Sequence, residues 1–151
     1  MPFQKLRTEV ENILQAKEAS VDQRLSEICE LLKAEIPYYT WVGFYFKNGD
    51  KHELKLGPYA GEPTDHTIIP FGKGICGQVA VSNQNFVVPD VKAQDNYIAC
   101  SIHVKAEIVV PLFKDGENIG QIDIDSNIPD PFTEEDERFL EFVNEKVAEI
   151  L

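Results

Sequence analysis

The segment from Glu107 to Ser126 constrains the fold more than any other part of the chain. It holds two strand-like runs, EIVVPLFK (107–114) and IGQIDIDS (119–126), joined through Asp115-Gly116, a pair that tight hairpin turns favour. Pro111 has no N–H for a ladder, so its strand needs an edge or a bulge at that point. Side chains alternate between the faces of a strand, so Ile122 and Ile124 share one face while Asp123 and Asp125 share the other. With the isoleucines on the core side, the acidic pair can point into a pocket. It can equally form a solvated acidic face, and spacing alone favours that simpler reading in a chain with 26 Asp and Glu.

The remaining pattern surrounds this hairpin with helices and further strands. Apolar residues recur at helical intervals over 2–18 (Phe3, Leu6, Val10, Ile13, Leu14) and over 21–35 (Leu25, Ile28, Cys29, Leu31, Leu32), the second closing before Pro37. TWVGFYF (40–46) has the aromatic and β-branched make-up of a buried strand, and NGDK leads into HELKLG (52–57). Short strands are expected at HTIIPF (66–71) and FVV (86–88), with a helix from about Gly74 to Ser82 between them. PDVKAQDNYIACSIHVKA (89–106) is long and irregular, a kind of segment that commonly carries function. TEEDERFLEFVNEKVAEIL (133–151) reads as an amphipathic helix with Thr133 as N-cap and acids in its first turn. No repeat or linker interrupts the layout. It predicts an α+β fold with a mostly antiparallel sheet of five or six strands, in one domain spanning 1–151 with its core over 36–126.

Composition limits the partners. Fourteen Lys and Arg against 26 Asp and Glu give a net charge of −12, a field that opposes nucleic-acid phosphates and anionic lipid. No apolar run is long enough to span a bilayer, and the N-terminus carries charge too early for a signal peptide, so the expected location is the cytoplasm. Three cysteines, Cys29, Cys76 and Cys100, do not make a secreted disulfide framework.

GKGICG (72–77) satisfies G-x-G-x-x-G but follows hairpin-like strands rather than opening a βαβ unit. It reads as a glycine turn that lets strand and helix pack closely. Cys76 lies in this turn near a helix N-terminus, where the helix dipole favours a thiolate; the competing reading is a small buried hydrophobe in the helix–sheet seam. Cys29 sits on an apolar helix face and has only a packing role. Cys100 lies on the irregular segment with His103 and Lys105 nearby, and Glu107, Asp123 and Asp125 can converge on it. His52, His66 and His103 show no zinc-ligand spacing, so no metal site is expected.

WVGFYF, LGPYAGEP, IPFGKGICGQVA, VPDV, YIAC, EIVVPL and IGQIDIDS, in this order, resemble the GAF-domain family of free methionine-(R)-sulfoxide reductases over about residues 36–143. The resemblance implies a GAF domain with an antiparallel six-stranded sheet flanked by helices, usually a homodimer, and free methionine sulfoxide as substrate. It implies that Cys100 attacks the sulfoxide sulfur and becomes a sulfenic acid. Glu107, Asp123 and Asp125 match the acids that hold the substrate ammonium and assist protonation of the sulfoxide oxygen. Trp41 and Tyr45 match the aromatic side of the pocket, and Cys76 an additional cysteine. No bound cofactor is implied; the reductant is an external thiol, either thioredoxin-like or small. At the family's usual resolving-cysteine position this chain has His66, and after Cys100 it has SIHVKAE where DAASNSE is usual. Three outcomes stay open: Cys76 resolves the sulfenic acid, an external thiol does so, or the chain is a non-catalytic GAF module that binds or senses a small molecule.

Overall fold

The computed structural model describes residues 3–94 and 103–151. In chain order the elements are α1 (Phe3–Leu14), α2 (Val21–Glu35), β1 (Trp41–Lys47), β2 (Glu53–Ala60), β3 (Ile68–Pro70), α3 (Gly74–Ser82), β4 (Phe86–Val88), a 3-10 turn (Val91–Ala93), β5 (Ala106–Lys114), β6 (Glu117–Ser126) and α4 (Glu134–Ala148). Among the described residues, six strands form one sheet in the order β3-β2-β1-β6-β5-β4, antiparallel throughout. The expected α+β class and antiparallel sheet are therefore observed.

Strand alternation assigns the two faces. Val42, Phe44, Ile108, Val110, Ile122 and Ile124 turn toward α1, α2 and α4 and build the larger core with Leu6, Val10, Ile28, Leu32, Phe139 and Val143. The opposite face, carrying Trp41, Tyr45 and Val109, packs on α3 through Ile75, Cys76 and Val79. Fully burying one such aliphatic side chain contributes about 1.5–3 kcal/mol, so the helical layer dominates stability and the α3 face is free to carry polar groups.

The hairpin forms as its sequence dictates. Asp115 and Gly116 both take positive φ, 53° and 82°, the geometry that matches strand twist in a two-residue turn. β4 pairs β5 only from Glu107 to Val109, so Pro111 lies beyond the covered edge, and a register shift follows at Leu112/Phe113. The Asn144 amide of α4 donates to the Val110 and Pro111 carbonyls at 2.9 and 3.0 Å in place of a neighbouring strand.

Several boundaries differ from expectation. α1 stops at Leu14, not residue 18, because the buried Arg24 guanidinium donates to the Leu14 carbonyl at 2.8 Å and Ser20 caps α2 through Gln23 N–H. β2 continues through Gly57-Pro58 to Ala60, which a bulge opposite Gly43–Tyr45 accommodates. β3 is shorter than 66–71, and α4 ends at Ala148, its last turn tightening into i→i−3 bonds. Thr133 caps α4 as expected, and Asp136 completes the capping box.

Candidate active site

Strand register gathers the predicted acids. On β6, Asp125 lies opposite Trp41 of β1 and Glu107 of β5, while Asp123 lies opposite Gly43 and Val109. These residues share the α3 face of the sheet. Exposure decides between pocket and solvated surface: Glu107, Asp123 and Asp125 are only 5%, 2% and 1% exposed. They are buried acids, not a solvated face.

The glycine turn brings Cys76 onto them. Gly72 and Gly74 both take positive φ, and a Cβ at Gly77 would lie 2.6 Å from the Pro70 carbonyl oxygen, so only glycine lets α3 pack this closely. The Cys76 thiol donates to Glu107 Oε2 at 3.8 Å. Asp123 shares side-chain hydrogen bonds with both Glu107 and Cys76. The donor atoms of Cys76, Glu107 and Asp123 all lie within 4.8 Å of one another.

Of the two readings of Cys76, this environment favours the buried residue of the helix–sheet seam over activation by the helix dipole. Burial, the carboxylates of Asp123 and Glu107, the Asp123 hydrogen bond and Asp125 together push its thiol well above the ordinary cysteine range. The partial charge of a helix N-terminus is about half a unit, too little to offset burial among acids. Burial also raises Asp123, although its hydrogen bonds to Glu107 and Cys76 oppose the rise. Both shifts favour the protonated form of their group. Cys29 is fully buried in the other core, as expected, and burial pushes its thiol up as well.

The aromatic residues have polar ends that fix the β2–β3 connection. Trp41 Nε1 donates to the Glu62 carbonyl at 3.0 Å, and Tyr45 Oη donates to the His66 carbonyl at 2.9 Å. Trp41 also stacks on Tyr59 with ring centroids 5.4 Å apart. Trp41 and Asp125 line a cleft of about 450 Å³ together with Gly61, Glu62, His103 and Val104. Tyr45, His66, Cys76, Glu107 and Asp123 instead line a neighbouring cavity of only about 10 Å³. The predicted set is thus split between a ligand-sized cleft and a tight acid–thiol pocket, with Asp125 beside Glu107 at the join. Cys100 lies outside the described residues.

Two residues escaped the sequence reading. Gln121, fully buried, donates to the Cys76 carbonyl at 3.1 Å and anchors α3 to the sheet. Its place two residues before Asp123, in phase with both acids, was the available signal. A Cβ at Gly43 would lie 2.7 Å from Trp41 Cζ3, so this glycine makes room for the indole; nothing local in the sequence reveals that.

Comparison with known proteins identifies the family of the fold. A family model for the GAF domain matches residues 3–151. The free methionine-R-sulfoxide reductase of Escherichia coli is 36% identical over 140 residues, covering 93% of this chain and 83% of that protein. The X-ray structure of free methionine-R-sulfoxide reductase from Neisseria meningitidis, in complex with its substrate, superposes with a TM-score of 0.91 at 35% identity, covering 98% of this chain and 87% of the other. The type II free methionine-R-sulfoxide reductase of Thermoplasma acidophilum is 38% identical with a TM-score of 0.82, covering 86% of this chain and 91% of the other. On this sequence and structural similarity, the chain belongs to the GAF-domain family of free methionine-(R)-sulfoxide reductases.

Proposed function

We propose that the chain reduces free methionine-(R)-sulfoxide to methionine, with Cys100 as nucleophile and an external thiol as the final reductant. The observation that carries this reading is a buried carboxyl group, Asp123, biased toward its protonated form beside Glu107 and Cys76, two residues along β6 from Asp125, which lines a cleft with Trp41. A sulfoxide oxygen leaves sulfur only once protonated, so a carboxylic acid and a thiolate are the two groups the step requires. In this reading Cys100 attacks the sulfoxide sulfur while the acid cluster protonates the oxygen. The oxygen passes to the cysteine, giving Cys100 sulfenic acid, and methionine departs. Asp125 and Glu107 hold the substrate ammonium, and Trp41 and Tyr45 form the apolar side.

Regeneration runs through one of two routes. The Cys76 thiol transfers its proton to Glu107 and attacks the sulfenic sulfur, releasing water and forming a Cys76–Cys100 disulfide that an external dithiol reduces. Otherwise an external thiol condenses with the sulfenic acid directly. The high-lying Cys76 thiol makes the first route slow at neutral pH, because the thiolate is the nucleophile.

Wild type incubated with the free (R)-sulfoxide and dithiothreitol is expected to make methionine, and Cys100→Ser to make none. Peptide mass mapping after substrate oxidation without reductant then reports the route, as a Cys76–Cys100 disulfide or a lone oxidised Cys100. Reversible binding of the sulfoxide without turnover, equal in wild type and Cys100→Ser, would favour a small-molecule-binding GAF module instead. The chain is placed in the cytoplasm and as a homodimer on the same reading. Among the described residues, no helix is long and apolar enough to cross a membrane. The apolar stripe of α1 (Phe3, Leu6, Val10, Leu14) is buried within the chain, so a dimer would have to use other surfaces.

A further inference from the structure

Local spacing gave no metal site, yet the fold assembles a donor set from three separate elements. α3 supplies Cys76, β5 supplies Glu107 and β6 supplies Asp123, one soft sulfur and two hard oxygens whose donor atoms lie within 4.8 Å of one another. We propose that this cluster is a binding site for a thiophilic divalent cation of the zinc class, and that its occupation blocks the reductase. The first half stands on the geometry alone; the block rests on the function proposed above.

Three observations carry the site. In a tetrahedron with Zn–S near 2.3 Å and Zn–O near 2.1 Å, the sulfur–oxygen edge is about 3.6 Å. The Cys76 Sγ to Glu107 Oε2 distance is already 3.8 Å. Asp123 is 2% exposed, and its Oδ1 has no hydrogen-bond partner among the described residues, so this buried carboxylate lacks the full set of donors that its charge calls for and a cation would supply the missing positive charge. The cluster is also rigid: Gln121 fixes the Cys76 backbone, and register fixes the two acids on adjacent strands. The three side chains supply three of the four tetrahedral positions, the ligand count of a three-ligand protein site.

Binding is a proton exchange. The cation takes the Cys76 sulfur as thiolate, and the thiol proton, with any carried by Asp123 or Glu107, leaves to solvent. The charge that burial disfavours on the acids is then compensated by the metal. The same event removes the protons that sulfoxide reduction draws on and occupies Cys76, so the bound form cannot turn over.

Cobalt(II) is the spectroscopic probe, added to the reduced, metal-free full chain. The expected result is a sulfur-to-cobalt charge-transfer band that zinc abolishes by displacement. The band should persist in Cys100→Ser and disappear in Cys76→Ser. Glu107→Gln and Asp123→Asn should each weaken zinc affinity at least about tenfold in calorimetry, since even groups behind the ligands cost 10–100-fold. Far-UV circular dichroism establishes that each variant is folded, and the two conservative amide variants keep the test valid should Cys76→Ser unfold. Absence of the band in wild type, its persistence in Cys76→Ser, or its loss in Cys100→Ser alone would overturn the site. Zinc binding measured in this way without inhibition of methionine formation would overturn the block while leaving the site. A chain that binds cobalt but makes no methionine even when metal-free would instead count against the proposed function.

Discussion

At Asp123 the sheet holds a carboxyl group where its charge is unfavourable, and that has a measurable consequence for stability. Because its native pKa lies above the ordinary aspartate value, the folded chain binds this proton more tightly than the unfolded chain does. Asp123 therefore favours folding below the ordinary aspartate range, and this contribution is lost as pH rises toward the native value. Asp123→Asn keeps a donor for Glu107 and removes the charge. The variant is expected to melt higher than wild type at neutral pH, by roughly 2–4 °C per kcal/mol relieved. Its melting temperature should also fall less between acidic and neutral pH. Methionine formation should drop by about 10²-fold or more, the usual worth of a positioned acid. Thermal melts from pH 4 to 8 check the first part; a variant less stable than wild type by the same amount at every pH would refute it. How far single residues could be read varied with how local their surroundings are. Cys29 was legible because a helix face determines its neighbours. Cys76 was legible only as two open readings, a seam residue or a dipole-activated thiol, because the neighbours that decide between them come from β5 and β6, 31 and 47 positions further along the chain.

Among the elements, the β2–β3 connection is the one most directly tied to the site, since Trp41 and Tyr45 hold it through the Glu62 and His66 carbonyls. Trp41 is the only tryptophan in the chain, so its fluorescence reports on this contact and on the cleft it lines. Gly43 controls the indole position. Adding a methyl group there pushes against Trp41 Cζ3 and against Tyr59 Cβ, at 2.7 and 2.9 Å. Gly43→Ala is expected to cost about 1–3 kcal/mol, as overpacking commonly does, and to shift the tryptophan emission. Titration with the free sulfoxide should perturb that emission in wild type and less in the variant. Unchanged emission in Gly43→Ala would show that the ring is not held as described. The elements themselves were largely legible, because hairpin, helices and caps follow from period and turn chemistry. What escaped were ends set by distant partners: Arg24 closing α1, a bulge extending β2 through Pro58, and Asn144 standing in for a strand beside Pro111.

Taken whole, the molecule carries a net charge of −12, which at first suggests that it draws in its substrate by long-range attraction. Free methionine sulfoxide is a zwitterion with no net charge near neutral pH, so that field exerts little steering on it. Recognition has to come from charges close enough to act on the ammonium separately from the carboxylate, and in the function proposed above Glu107 and Asp125, both buried, supply them. Two outcomes at the level of the whole enzyme follow. Raising ionic strength from low salt to about 0.5 M should change kcat/KM by less than about threefold, because buried pairs are screened far less than exposed ones. Blocking the amine should be severe. N-acetylmethionine sulfoxide offers no ammonium, and sites built to bond a polar substrate group reject analogues lacking it by about 10⁴-fold or more, since their own buried groups are left unpaired. Steady-state assays of both substrates under one thiol reductant check this directly. Comparable kcat/KM for the free and N-acetylated sulfoxides would mean that the buried acids serve proton transfer alone, and that the selectivity of this chain has another origin.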